Sequence, residues 1–290
     1  MGARPGERRF PGRPQPSGLE VEAHSAYVAG DDLRHLDWNL FGRLDTLLMR
    51  RFTAEREVVV HLLLDASASM GIPADDHKWG VASELAVALA AIAIASRHAA
   101  RLIVLTGSRG PGGLAAGEEA PVPLSRASAV HRRRAGLVAM ADLLDATIPR
   151  CALDLGDRLG DYACRHPEGG AALVVSDFLL EPERLEPGVA ALRRRGYAVY
   201  LLQVLGRGEI EPARVLGSAE LVDVESGETH SLALTADVIA RYAALLEAHQ
   251  EALRALALRQ RATWISFVSD TPVEQVVLQD LVRVGLVRAR

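Results

Sequence analysis

The chain has 290 residues, 49% of them hydrophobic, and a net charge of −4, which is typical of a folded α/β protein with an appendage. This charge balance provides no broad basic surface, so we expect no nucleic-acid partner. The longest apolar segment, Leu85 to Ser96, is shorter than the roughly 20 residues that cross a bilayer, and the N-terminal residues contain no signal-like apolar core. We therefore expect no membrane insertion and a cytoplasmic location.

Three regions follow one another along the chain. Residues 1–17 are rich in Pro, Gly and Arg, which predicts a flexible tail. Residues 18–57 form an N-terminal segment, in which we expect a tight turn at Gly30, a short helix with an Asp cap, and Trp38 packed over the edge of the core. Residues 58–290 alternate between apolar strand-like and helix-like stretches and are predicted to form the main domain.

The main domain is predicted from its hydrophobic patterns. The predicted strands are Val58 to Leu64, Arg101 to Thr106, Ala171 to Ser176, Tyr197 to Leu205, Glu220 to Val224, and Ala262 to Val268. The predicted helices are Trp79 to His98, Val130 to Thr147, Leu153 to Arg165, Glu183 to Arg195, Thr235 to Leu258, and Pro272 to Val284. The Gly- and Pro-rich residues 107–124 are either a loop or an excursion into a hairpin. Strands separated by helices of this length predict a doubly wound, mostly parallel, Rossmann-like sheet.

Oxygen-bearing side chains follow two of these strands where each strand ends. The first strand runs into "DASAS", and a later one runs into "VVSDF". Because ligands of doubly wound sheets lie beyond the carboxyl ends of the strands, we expect these groups to meet at one edge. Hard cations such as Mg²⁺ prefer oxygen ligands and retain waters, so we predict a magnesium or manganese site here. Its four candidate ligands are Asp65, Ser67, Ser69 and Asp177.

These residues carry a family resemblance. "DASAS" resembles the metal-ion-dependent adhesion site (MIDAS) motif of von Willebrand factor A domains, and "VVSDF" is similar to the strand end with the later aspartate of that site. Upstream, "YVAGDDLRHLDW" resembles the signature of a bacterial, MoxR-associated family once called domain of unknown function 58, and "VDVESGE" is a further match. Residues 18–57 are then the family-signature segment, and residues 58–290 a von Willebrand factor A-like domain.

The resemblance implies a non-enzymatic adaptor. It would present a divalent cation to a partner carboxylate and work with a MoxR-type AAA+ ATPase on a client protein, in chaperone-like maturation. One departure concerns the adhesion-site threonine, because Leu153 stands where it is expected; Asp154 or retained water would have to compensate.

Two alternatives remain open from the sequence. In the first, the fold is a metal-free scaffold, with Ser67 and Ser69 capping the next helix and Asp65 bonded to the same turn. In the second, the chain is a haloacid-dehalogenase-like phosphohydrolase, because such enzymes also begin with a hydrophobic strand that ends in aspartate. Such enzymes need a second acid two residues on, where this chain has Ser67, and Lys78 lies too near Asp65 in sequence. We therefore expect no enzyme activity.

Overall fold

The computed structural model describes residues 16–28, 32–33, 36–107, 125–150, 152–211, 217–222 and 229–286. Most of the predicted tail lies outside these ranges, as do Gly30, residues 108–124 of the predicted loop or hairpin, and residues 223–228 of "VDVESGE". The chain divides into two compact units at Glu57, with residues 13–57 in the smaller one.

The smaller unit is an antiparallel hairpin with a short helix in its connection. Its elements are β1 (Pro16–Ala26), α1 (Trp38–Leu44) and β2 (Leu48–Arg56). Asp37 caps α1 by accepting the backbone N–H groups of Asn39 and Leu40, as the predicted Asp-capped helix requires. Trp38 is not a core residue of this unit, where 61% of it is exposed and its ring packs edge-on against Phe41.

The larger unit contains a six-stranded sheet, whose strands are β3 (Val59–Asp65), β4 (Ala99–Leu105), β5 (Ser125–Ala127), β6 (Gly170–Ser176), β7 (Tyr197–Leu205) and β10 (Thr263–Val268). Across the sheet they follow the order β10-β7-β6-β3-β4-β5. Neighbouring strands are parallel except for the edge strand β5, which is antiparallel to β4. The α/β fold class with a mostly parallel sheet is confirmed.

Helices cover both faces of this sheet. The helices are α2 (Lys78–Ala95), α3 (Gly136–Asp145), α4 (Leu155–Arg165), α5 (Pro182–Arg194), α6 (Arg207–Ile210), α7 (Ala236–Arg259) and α8 (Val273–Gln275), which continues as a π-helix (Val276–Leu281). Side chains of α2 and α3 pack on one face, and those of α4, α5 and α7 pack on the other. Alternate strand residues serve the two cores: Leu62 and Leu64 of β3 point to one, and Leu63 to the other.

Helix α2 is also the one helix among the described residues that is long and apolar enough to cross a membrane by length and composition. Core helices pass the same test, and seven of its residues are buried in the larger unit.

Two sequence-based assignments in this unit agree with the structure only in part. The predicted strand Glu220 to Val224 does not join the sheet: β8 (Gly217–Val222) and β9 (Thr229–Leu234) form a separate antiparallel hairpin. The predicted helix Val130 to Thr147 begins only at Gly136, because His131 forms an antiparallel bridge with Ala100 and keeps the preceding residues out of the helix.

Candidate functional site

The two candidate acids lie at the carboxyl edge of the parallel sheet. Asp65 is the last residue of β3, and Asp177 directly follows β6, the strand next to β3. Only 4% of Asp65 and 3% of Asp177 is exposed. Ser176, the last residue of β6, donates its hydroxyl to Oδ2 of Asp65 at 2.6 Å. Strand pairing therefore brings together residues that are more than a hundred positions apart in the sequence.

The electrostatics of Asp65 show that the two carboxyl groups interact. Burial, and then the negative charge of Asp177, raise the pKa of Asp65 to about 6. Hydrogen bonds from Ser176 and Ser67 act in the opposite direction, because they stabilise the ionised form. The two carboxylates therefore repel each other when both are ionised, and a bound cation would reduce this repulsion.

The two serines lie in the turn that leaves β3. The backbone N–H of Ser67 donates to Oδ1 of Asp65 at 2.8 Å, and the hydroxyls of Ser67 and Ser69 are 3.0 Å apart. Neither side chain caps a helix: Ser67 precedes a short 3₁₀ turn without a side-chain cap, and α2 begins after His77. The capping alternative for the serines is therefore wrong, although the bond between Asp65 and its own turn is present.

A buried lysine contacts this site. Lys78 is the first residue of α2, only 1% of it is exposed, and its ammonium donates to Oδ2 of Asp177 at 3.1 Å and to Oε1 of Glu209. Burial lowers the pKa of Lys78, but the charges of Asp177 and Glu209 more than offset it, so its pKa is raised. Lys78 is therefore an ammonium ion in the folded protein.

Glu209 lies on α6, which directly follows β7. Its second oxygen, Oε2, accepts the backbone N–H of Gly206 at 2.7 Å, so the carboxylate is held at both oxygens. Burial raises the pKa of Glu209, and the charge of Lys78 opposes that shift. Asp76 also stabilises α6, because its carboxylate accepts the backbone N–H of Gly208.

Our sequence reasoning missed Lys78 and Glu209 as site residues. The sequence does set Lys78 apart, because it is the only lysine in the chain. Glu209 gave no such signal, because its place depends on how α6 follows β7.

Asp154, which we expected to compensate for the missing threonine, has structural contacts of its own. Asp154 caps α4 by accepting the N–H of Asp157 with Oδ1, and its Oδ2 accepts a hydrogen bond from Arg184. Asp154 thus contacts α4 and Arg184, and Leu153 supplies no ligand atom.

The donor set at the edge fits a hard cation only in part. Two carboxylates and two hydroxyls supply oxygen ligands of the kind that Mg²⁺ and Mn²⁺ prefer, with waters to complete an octahedron. Within the described parts of the chain, no three His, Cys, Asp or Glu side chains converge to hold a metal. A metal at this edge would therefore depend on Asp65 and Asp177, on the serine hydroxyls, and on displacing the Lys78 ammonium from Asp177.

His61, the histidine next to the motif in sequence, is a core residue. Its Nδ1 lies 2.5 Å from the hydroxyl of Tyr162, and burial, with the charge of Arg101, lowers its pKa to about 3. A neutral imidazole that contacts two tyrosine rings packs the core rather than serving the edge.

Comparisons with known proteins add the following. The family model "Protein of unknown function DUF58" matches residues 24–252. An uncharacterized protein of Mycobacterium tuberculosis is 28% identical over 241 residues, covering 80% of this chain and 69% of that protein. An uncharacterized protein in the moxR 3′ region of Paracoccus denitrificans is 39% identical over 82 residues, covering 28% of this chain and 76% of that protein.

Solved structures with similar folds were also found. BatB from Bacteroides thetaiotaomicron matches with a TM-score of 0.47 and 12% identity, covering 79% of this chain and 100% of that one. The VWA domain of SpRpn10 matches with a TM-score of 0.42 and 11% identity, covering 79% and 95% respectively.

Proposed function

From the premise that the chain belongs to the DUF58 family, we propose that it is a protein-interaction module that docks a MoxR-type AAA+ ATPase through the carboxyl edge of its sheet. The observation that carries this proposal is the constellation of Asp65, Ser67, Ser69 and Asp177, which clusters oxygen atoms from two strand ends. The encounter would take place in the cytoplasm and serve chaperone-like maturation of a client protein.

The proposed docking is gated by a divalent cation, Mg²⁺ or Mn²⁺. Carboxylate and hydroxyl oxygens from the edge would hold the ion, and a carboxylate of the partner would complete its coordination. Such docking is reversible and needs no covalent step. We propose no catalytic activity, since Ser67 stands where a phosphohydrolase of the haloacid-dehalogenase type needs its second acid.

The choice of partner is supported by the relative in the moxR 3′ region of Paracoccus denitrificans. Genes of proteins that act together are often neighbours in bacteria. For this chain, the proposed partner is a MoxR-type AAA+ ATPase from the same organism.

The proposal is tested by measuring the affinity of the full chain for that ATPase with Mg²⁺ and with EDTA. We expect binding that needs Mg²⁺ and that Asp65→Ala abolishes, while circular dichroism shows an unchanged fold. Equal binding by the parent chain and Asp65→Ala, with or without chelator, would contradict metal-gated docking. A Mg²⁺-dependent phosphatase activity lost in Asp65→Ala would instead favour an enzyme.

A second candidate function has its own supporting observation. The ammonium of Lys78 already neutralises Asp177, so the fold can also be a metal-free scaffold that docks without an ion. Calorimetric titration of the chain with MgCl₂ and MnCl₂ separates the two, because the scaffold predicts no heat of binding.

A further inference from the structure

The most unusual charged group in the described chain is the ammonium of Lys78. It is the only lysine, 99% of it is buried, and it contacts two carboxylates that come from different strand ends. Burying an ammonium is costly unless it is paired and hydrogen-bonded. One carboxylate partner would neutralise it, yet the structure supplies both Asp177 and Glu209.

The charges at this edge do not balance. Two carboxylates, those of Asp177 and Glu209, contact the ammonium, and a third, that of Asp65, interacts with Asp177, so these four groups carry two uncompensated negative charges when all the acids are ionised. A structural ion pair that only ties α2 to α6 would use Lys78 and Glu209 and would leave Asp177 out. The contact between Lys78 and Asp177 therefore calls for a separate explanation.

We propose that Lys78 is the resident cation of the site, and that a divalent ion binds by displacing its ammonium from Asp177 onto Glu209 alone. This inference rests on the proposed function, since it assigns the control of that same site. Lys78 and Glu209 then determine how tightly the site holds metal, although neither is a metal ligand.

The geometry favours such an exchange. The ammonium of Lys78 lies 3.1 Å from Oδ2 of Asp177. A Mg²⁺ ion bound to the same oxygen would lie about 2.1 Å from it, so the ion and the ammonium would be within about 5 Å of each other. Like charges this close in a buried site repel strongly. The ammonium has a place to go, because Glu209 is fixed by Gly206 and keeps its bond to Lys78.

The single lysine makes a direct test feasible in the unaltered protein. Labelling with ¹⁵N-lysine gives one side-chain ammonium signal, and buried hydrogen-bonded ammonium groups exchange slowly enough to be seen. We expect this signal to shift saturably as MgCl₂ is added, and to stay in place when NaCl is added at the same ionic strength. A stationary signal under conditions where calorimetry shows Mg²⁺ binding would overturn the inference and leave the proposed function intact.

Variants test the same competition through affinity. The double variant Lys78→Met/Glu209→Gln removes one charge of each sign, so the net charge of the site is unchanged and any gain must come from releasing Asp177. We expect it to bind Mg²⁺ at least about tenfold more tightly than the parent chain. Glu209→Gln alone leaves Lys78 with Asp177 as its one charged partner and should weaken Mg²⁺ binding.

Three results separate this inference from the proposed function. A double variant that folds, by circular dichroism and thermal melting, but binds Mg²⁺ no more tightly than the parent overturns the role of Lys78. Tight Mg²⁺ binding only in the double variant supports that role, but it contradicts metal-gated docking by the natural chain. Absence of Mg²⁺ binding in every form overturns both.

Discussion

Replacing Asp65 by asparagine tests whether the folded site disfavours the ionised form of this carboxylate. Burial and the charge of Asp177 raise the pKa of Asp65 from 3.8 to about 6, so the folded state keeps a proton that the unfolded state loses. The contribution of Asp65 to the free energy of unfolding is therefore present at low pH and is lost as the pH rises through 6. Because each pKa unit corresponds to about 1.4 kcal/mol, the parent chain should lose roughly 2 kcal/mol relative to Asp65→Asn between pH 4 and pH 7.

The assay is urea unfolding of both proteins at a series of pH values in EDTA, followed by circular dichroism. Subtracting the two curves removes the titrating groups that do not interact with Asp65, including His61, whose lowered pKa makes stability rise with pH in an overlapping range. A difference that stays flat within about 0.5 kcal/mol from pH 4 to 7 would refute the reasoning, since it would mean that the folded environment does not disfavour ionised Asp65.

The remaining predictions concern helix packing and the limits of the site. Gly156→Ala should destabilise the fold by about 3 kcal/mol, because its Cβ would lie 1.9 Å from the backbone oxygen of Arg184. The matched control is Gly160→Ala in the same helix, where an added Cβ would have no atom within 4 Å. This variant should stabilise the fold by about 0.5–1 kcal/mol. Equal effects of the two variants in thermal melts would contradict the close approach of α4 and α5. Asp154→Asn should leave Mg²⁺ affinity unchanged in calorimetry, since Arg184 and the N–H of Asp157 occupy that carboxylate and asparagine caps equally well. A large loss of affinity would show that Asp154 is a ligand.

The central strands were predictable because they carry uninterrupted apolar runs. Every residue of β6 is buried, and a sequence such as "AALVVS" allows few other interpretations. The short edge strand β5 has no such run: its three residues are half-buried or exposed, so composition alone does not separate it from the preceding loop. The β1 segment "GLEVEAH" does alternate apolar and polar residues, and that period of two was a signal for a strand that we did not use.

The candidate site was predictable to the extent that strand ends determine it. Asp65 and Asp177 follow two strands whose parallel pairing requires their ends to meet at one edge. Lys78 and Glu209 were not predictable in this way, since their contact joins the first turn of α2 to the short helix α6, and no pairing rule relates those elements. The exposure of Trp38 was missed for a similar reason, because a large apolar residue in a short helix is not necessarily a core residue.

The central claim is that the carboxyl edge of the sheet holds a divalent cation between two strand ends. The most direct measurement is anomalous-scattering crystallography of the chain grown with Mn²⁺. The account predicts one manganese peak coordinated by Asp65 and Asp177, with the ammonium of Lys78 remaining on Glu209 only. A structure with no peak at this edge at saturating Mn²⁺, and with Lys78 still bonded to Asp177, would contradict it.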